Sequence, residues 1–174
     1  LSLMNLELLA YGVNIVAYIS LMAAMRSDLM KMSVSNRIFQ FGFIGTLVFS
    51  GFGGLQALLW TLGVGVLFFL SGFLQQLVTG WGESDTAAFA LLGFGSLHLD
   101  LRVILGAYIA ATLVYVGWKL KPYFVMLNPQ GNPEEKVDEI AEMLMAGDIR
   151  IAFIPVIAFS YTVALAVYIG GILL

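Results

Sequence analysis

From Leu55 to Leu77 the chain carries no ionisable side chain. A run of that length lets one helix cross a hydrocarbon layer about 30 Å thick. In that layer backbone N–H and C=O groups must be satisfied within the chain, and a helix does this alone. Comparable runs recur. Segment 1 covers about Leu6–Met25, segment 2 Ile38–Gly51, segment 3 Leu55–Leu77, segment 4 Thr86–Leu97, segment 5 Leu101–Trp118, and segment 6 runs from Ile151 to the C-terminus. Of the 174 residues, 60% are hydrophobic and 11% charged, with a mean hydropathy of +0.95. The expectation is an all-α membrane protein, one domain over residues 1–174, built as a six-transmembrane-helix bundle in the lipid bilayer.

The breaks between runs have their own chemistry. Gly51-Phe52-Gly53-Gly54 reads as a tight turn, and Gly63, Gly65, Ser71 and Gly72 let segment 3 approach its neighbours closely. Segments 5 and 6 flank the one long polar stretch. Asn132 as N-cap, Pro133 at N1, Glu135 at N3 and Gly147 as stop predict a helix there. Val137, Ile140, Ala141 and Leu144 share one face, with Glu135, Asp138, Glu139 and Glu142 on another, as in an amphipathic helix on the membrane surface.

Composition also excludes. A net charge of −3 argues against a nucleic-acid partner. With no cysteine, disulfides and thiol catalysis drop out, and the single His98 cannot build a multi-histidine metal site, so no metal or cofactor is expected. No Lys or Arg precedes the first apolar run, which therefore does not read as a signal peptide.

Seven of the eight basic residues fall in the odd-numbered loops: Arg26, Lys31 and Arg37 in the first, Lys119, Lys121, Lys136 and Arg150 in the fifth. The positive-inside rule then puts those loops, with the amphipathic helix, in the cytoplasm. Asp28 ends segment 1 and Asp85 precedes segment 4, so segments 2 and 3 return the chain to the same cytoplasmic face. His98 and Asp100 fall on the opposite face. Carboxylates at a bilayer edge mark functional sites. Two held close together cannot both ionise easily; one keeps a proton while the other activates water, which suffices to hydrolyse a peptide bond. The loop before Asp85, Gly80-Trp81-Gly82-Glu83-Ser84, is rich in small residues, which leave room for an extended substrate. Plainer roles compete: Asp85 as a helix cap, and Asp28 as an interfacial anion between Arg26 and Lys31.

At these residues the chain resembles the GxGD aspartyl membrane proteases, the type 4 prepilin peptidases and archaeal preflagellin peptidases. In that family an Asp near the end of the first helix precedes a basic stretch and Ile-Pro-Asn; here Asp28-Leu-Met-Lys-Met-Ser precedes Val34-Ser35-Asn36-Arg37. The family's Gly-x-Gly-x-Gly-Asp loop corresponds to Gly80-Trp81-Gly82-Glu83-Ser84-Asp85, and its late Ile-Pro-Phe-x-Pro to Ile151-Ala152-Phe153-Ile154-Pro155. Ser84 replaces the glycine before the second Asp, Ser35 and Ala152 replace family prolines, and Ala87 stands where many members carry Lys. The resemblance covers nearly the whole chain and is closest to the short members serving tight-adherence (Flp-type) pili.

The resemblance implies a plasma-membrane aspartyl endopeptidase. It would remove the leader of prepilin-like membrane proteins at the cytoplasmic face, with Asp28 and Asp85 catalytic and Gly80, Gly82, Glu83 and Ser84 along the substrate path. Nothing in the chain suggests a methyl-donor site. The competing expectation, supported by Ser84, is a non-enzymatic membrane subunit of a pilus-assembly machine derived from such a protease. A transporter ranks last, because Asn14, Thr46, Gln56, Thr61 and Thr112 are scattered rather than clustered.

Overall fold

The computed structural model of the protein describes residues 3–31, 33–79, 82–126, 133–145 and 152–173. Among these, seven helices follow one another: α1 (Leu3–Lys31), α2 (Asn36–Phe52), α3 (Leu55–Thr79), α4 (Glu83–Phe94), α5 (Leu101–Met126), α6 (Pro133–Met145) and α7 (Ile154–Leu173). The protein is all-helical. Among the described residues four stretches are long and apolar enough to cross a membrane: Tyr11–Lys31, Leu55–Leu77, Leu101–Tyr123 and Ile154–Ile172. At 17 and 12 residues, α2 and α4 are shorter than the ~20 that a perpendicular crossing takes.

Boundaries differ from the sequence expectation where charge was taken for a loop. Segment 1 continues as helix to Lys31, so Asp28 lies on the last turns of α1 rather than beyond it. Segment 5 extends to Met126 with Pro122 inside the helix. Segment 4 begins at Glu83, so Glu83, Ser84 and Asp85 form its first turn. The expected turn after α2 is present, and Gly54 adopts a φ of +95°, which glycine holds without strain. Across that turn the Ser50 and Thr61 hydroxyls meet at 2.7 Å. The polar stretch is helical over α6, with Ile140 buried and Val137 exposed; its expected caps, Asn132 and Gly147, lie outside the described residues.

The shortest of the described helices, α4, forms the core. From Thr86 to Gly93 every α4 residue except Ala87 is buried, against α1, α2, α3 and α7. A helix apolar on all sides is stable only when surrounded. The approach to α3 is close: a Cβ on Gly93 would come within 2.7 Å of the Phe68 Cβ and 2.9 Å of the Val64 carbonyl. Beyond its C-terminus a buried polar node ties three elements. The Tyr161 hydroxyl donates to the Gly95 carbonyl at 2.7 Å, with Asn14 Oδ1 at 3.2 Å. The outer faces of the long helices remain apolar and uncovered, as with Leu113 and Val114 on α5, which suits contact with lipid tails.

Candidate active site

Four of the most buried residues of α1 are Val13, Ala17, Leu21 and Ala24. Their spacing of three and four continues to Asp28, so the stripe that packs α1 against the bundle also turns Asp28 inward. Ser27 donates to the Ser33 carbonyl at 2.8 Å and holds the chain as it leaves the helix. The Oδ2 of Asp28 is buried with no hydrogen-bond partner among the described residues. An unsatisfied buried carboxylate oxygen is costly unless it carries or shares a proton.

Asp85 enters from the opposite direction, at the third residue of α4. Its Oδ2 accepts the Gly82 N–H at 3.3 Å, closing the first turn. This is half of a capping box, made from the third residue and not from the N-cap position. The plainer reading expected Asp85 at the N-cap position itself; Gly82 occupies it, and Asp85 closes the turn from the third residue. The backbone N–H groups of Phe153 and Ile154, where α7 begins, favour the ionised form of this carboxylate. Burial pushes the Asp85 carboxyl up to about 6; the Gly82 N–H opposes the rise, the charge of Asp28 adds to it, and the two α7 N–H groups oppose it. The fold thus brings Asp28 and Asp85 within range of each other's charge, with the start of α7 beside them.

Of the loop residues, Gly80 and Trp81 lie outside the described residues. Gly82 is exposed, with an ordinary φ of −72°, so its backbone does not demand glycine. A Cβ there would instead sit 3.4 Å from Asp85 Oδ2, which gives the small residue a spatial use. Glu83 is exposed and Ser84 half-buried. Asp100 and His98 follow the far end of α4, about 18 Å along a 12-residue helix. Asp100 accepts the Arg102 N–H at 2.9 Å as a cap, and His98 is exposed with a φ of 63°. Neither joins the pair. Among the described residues no group of three or more His, Asp or Glu could hold a metal ion.

Sequence reasoning missed the polar shell around the pair. Tyr108 and Tyr115 lie one heptad apart on α5. The charge of Asp85 acts on Tyr108, and those of Asp28 and Asp85 both act on Tyr115. The Tyr108 hydroxyl reaches Gln75 Oε1 at 3.5 Å, and the Thr86 hydroxyl donates to Gln76 Oε1 at 3.1 Å. The available signal was the heptad spacing of the two tyrosines with a Gln-Gln pair near the end of α3.

Comparison with protein-family models, curated proteins and solved structures finds no match to this chain.

Proposed function

We propose that the chain is a membrane aspartyl endopeptidase of the GxGD type, which removes the leader of prepilin-like membrane proteins at the cytoplasmic face of the plasma membrane. One observation carries this reading: two carboxylates from helices distant in sequence come within range of each other's charge, Asp85 half-buried and Asp28 with a buried oxygen that has no partner among the described residues. In this reading α2 and α4 complete six membrane segments, α4 needing less length because protein surrounds it, and α6 lies on the cytoplasmic surface.

The pair shares one proton. The ionised carboxylate takes a proton from water as the water oxygen bonds to the peptide carbonyl carbon. The neutral carboxyl gives its proton to the carbonyl oxygen, forming a gem-diol. On collapse the C–N bond breaks and the nitrogen takes the proton held by the first carboxyl. A gem-diol hydroxyl returns its proton to the second, and the pair is restored. Glu83 adds negative charge at the approach and steers a basic leader inward.

The test is leader removal from pilin-like precursors by the purified protein in liposomes. Wild type and Ser84→Gly cleave, and Ser84→Leu, at equal membrane levels, does not, because the larger side chain obstructs the path. Absence of cleavage by wild type across the pilin-like proteins of its host would instead favour the non-enzymatic subunit.

A further inference from the structure

One face of α4 lines a groove of about 530 Å³ that it shares with α2 and α3. The floor is the stripe Glu83, Ala87, Ala90 and Phe94, one residue from each successive turn. It runs about 16 Å along the helix axis. Val66, Phe69 and Phe73 of α3 form one wall and are exposed. At the Phe94 end the Phe43 and Phe94 rings meet edge-on, with centroids 5.2 Å apart. The other end is polar. There the Thr86 hydroxyl donates to Gln76 Oε1 at 3.1 Å, so these two groups answer each other. Glu83 has no ion-pair partner among the described residues, where Asp100 pairs with Arg102. The groove is thus apolar along its length and carries one unmatched negative charge at its mouth.

That combination narrows what fills it. A Lys at position 87 would pair with Glu83 one turn away; Ala87 leaves the carboxylate unmatched and the floor low. The headgroup of an anionic lipid is repelled there. A membrane-spanning segment of another protein suits both features, because such segments carry Lys or Arg at their cytoplasmic ends and apolar side chains beyond. The mouth also lies close to Asp85. Glu83 and Asp85 stand two residues apart in the first turn of α4, about 3 Å along the axis and on opposite sides of a helix about 10 Å wide. An extended chain covers about 3.3 Å per residue, so about three residues make the crossing. They would pass over the N-terminus of α4, where Gly82 is exposed and has no side chain to obstruct them.

We propose that this groove is the docking site for the apolar segment of the substrate, with a Lys or Arg at the cytoplasmic end of that segment held by Glu83. The scissile bond then lies about three residues away, across the N-terminus of α4. The proposal rests on the aspartyl endopeptidase reading and adds to it where the substrate binds and which charge it must carry. Glu83 is a specificity residue here and takes no part in the proton transfers. Its contact is the same in the ground and transition states, so it acts on KM and not on kcat.

The experiment compares two versions of one pilin-like precursor in liposomes, with Lys or with Glu at the cytoplasmic end of the apolar segment and at equal incorporation. For the Lys version Glu83→Lys is expected to raise KM about fivefold with kcat unchanged, and the Glu version is expected to reverse that order. Ala87→Lys, which supplies the cation within the chain, is expected to raise KM for the Lys version in the same way. KM values that do not depend on the pairing of charges would overturn the proposal. A second measurement needs no cleavage. In an Asp28→Asn background, p-benzoylphenylalanine at position 73 is expected to cross-link the apolar segment of the Lys version, and at position 113, on the exposed face of α5, not to. Adducts at position 73 with lipid alone or with a second copy of this chain, or equal capture from position 113, would overturn the proposal. The two readings fail separately. If wild type cleaves neither version, the endopeptidase reading falls and this proposal with it. If wild type cleaves while the charge swap and the position-73 cross-link both fail, only the docking site falls.

Discussion

The Oδ2 of Asp85 accepts the backbone N–H of Gly82 at 3.3 Å, so the half-buried carboxylate that feels the charge of Asp28 also closes the first turn of α4. Its structural and chemical roles are separable by substitution. Asn keeps a carbonyl oxygen for the Gly82 N–H; Ala keeps none. Asp85→Ala is expected to be less stable than Asp85→Asn by about 1–2 kcal/mol, with Asp85→Asn remaining folded. Thermal unfolding in detergent distinguishes the two, and equal melting temperatures would show that the carboxylate is not a working cap.

The raised titration of Asp85 has a second consequence. Its ordinary value is 3.8 and its folded value about 6. Between those values the folded protein binds more protons at this site than the unfolded chain does. Stability therefore falls as pH rises through the window and stays lower above it. Asp85→Asn removes that dependence. At pH 7 the variant is expected to be more stable than wild type by about 1–3 kcal/mol, the two converging near pH 4. Melting curves from pH 4 to 8 test this; wild type gaining stability across that window would contradict it.

Sequence and structure agree where a physical pattern is continuous. The apolar runs delimit the helices because each run must form one to satisfy its backbone. Asp28 was legible as a functional candidate, and its inward direction follows from the Ala17, Leu21, Ala24 stripe. The helix ends were less legible. Arg26 and Lys31 look like a loop, yet solvated charges on one side do not interrupt a helix whose other side packs. The Glu83–Asp85 turn looked like a loop because its capping bond joins the third residue to Gly82. Tyr108, Tyr115, Gln75 and Gln76 were hidden for another reason. Tyrosine in an apolar span reads as packing, and only the fold reveals which of them come within range of a carboxylate's charge.

The node at the far end of α4 sets another expectation. Tyr161 is fully buried and its hydroxyl donates to Gly95 at 2.7 Å. Tyr161→Phe leaves that carbonyl and Asn14 Oδ1 without this donor, which is expected to cost about 1–3 kcal/mol. Leader cleavage at a temperature where both proteins are folded should be unchanged, since the node lies a helix length from Asp85. An unaltered melting temperature would mean that the node contributes nothing net.

Topology is testable without background, because the chain has no cysteine. Ser35, His98 and Glu139 are exposed, whereas Ser96 is fully buried and unsuited to labelling. Single cysteines at the three exposed positions are expected to react from the cytoplasm, the outside and the cytoplasm respectively. Labelling of positions 35 and 98 from the same side would mean that α2, α3 and α4 do not carry the chain across as proposed.

The central claim is that Asp28 and Asp85 act as one unit on a peptide bond. Its most direct test is the rate of leader removal by Asp28→Asn, Asp85→Asn and the double variant, each at matched membrane levels. Groups that share a proton lose nearly everything when either is removed, so the double variant is expected to be scarcely slower than each single one. Near-normal cleavage by Asp28→Asn, or single losses that multiply in the double variant, would contradict the shared-proton pair.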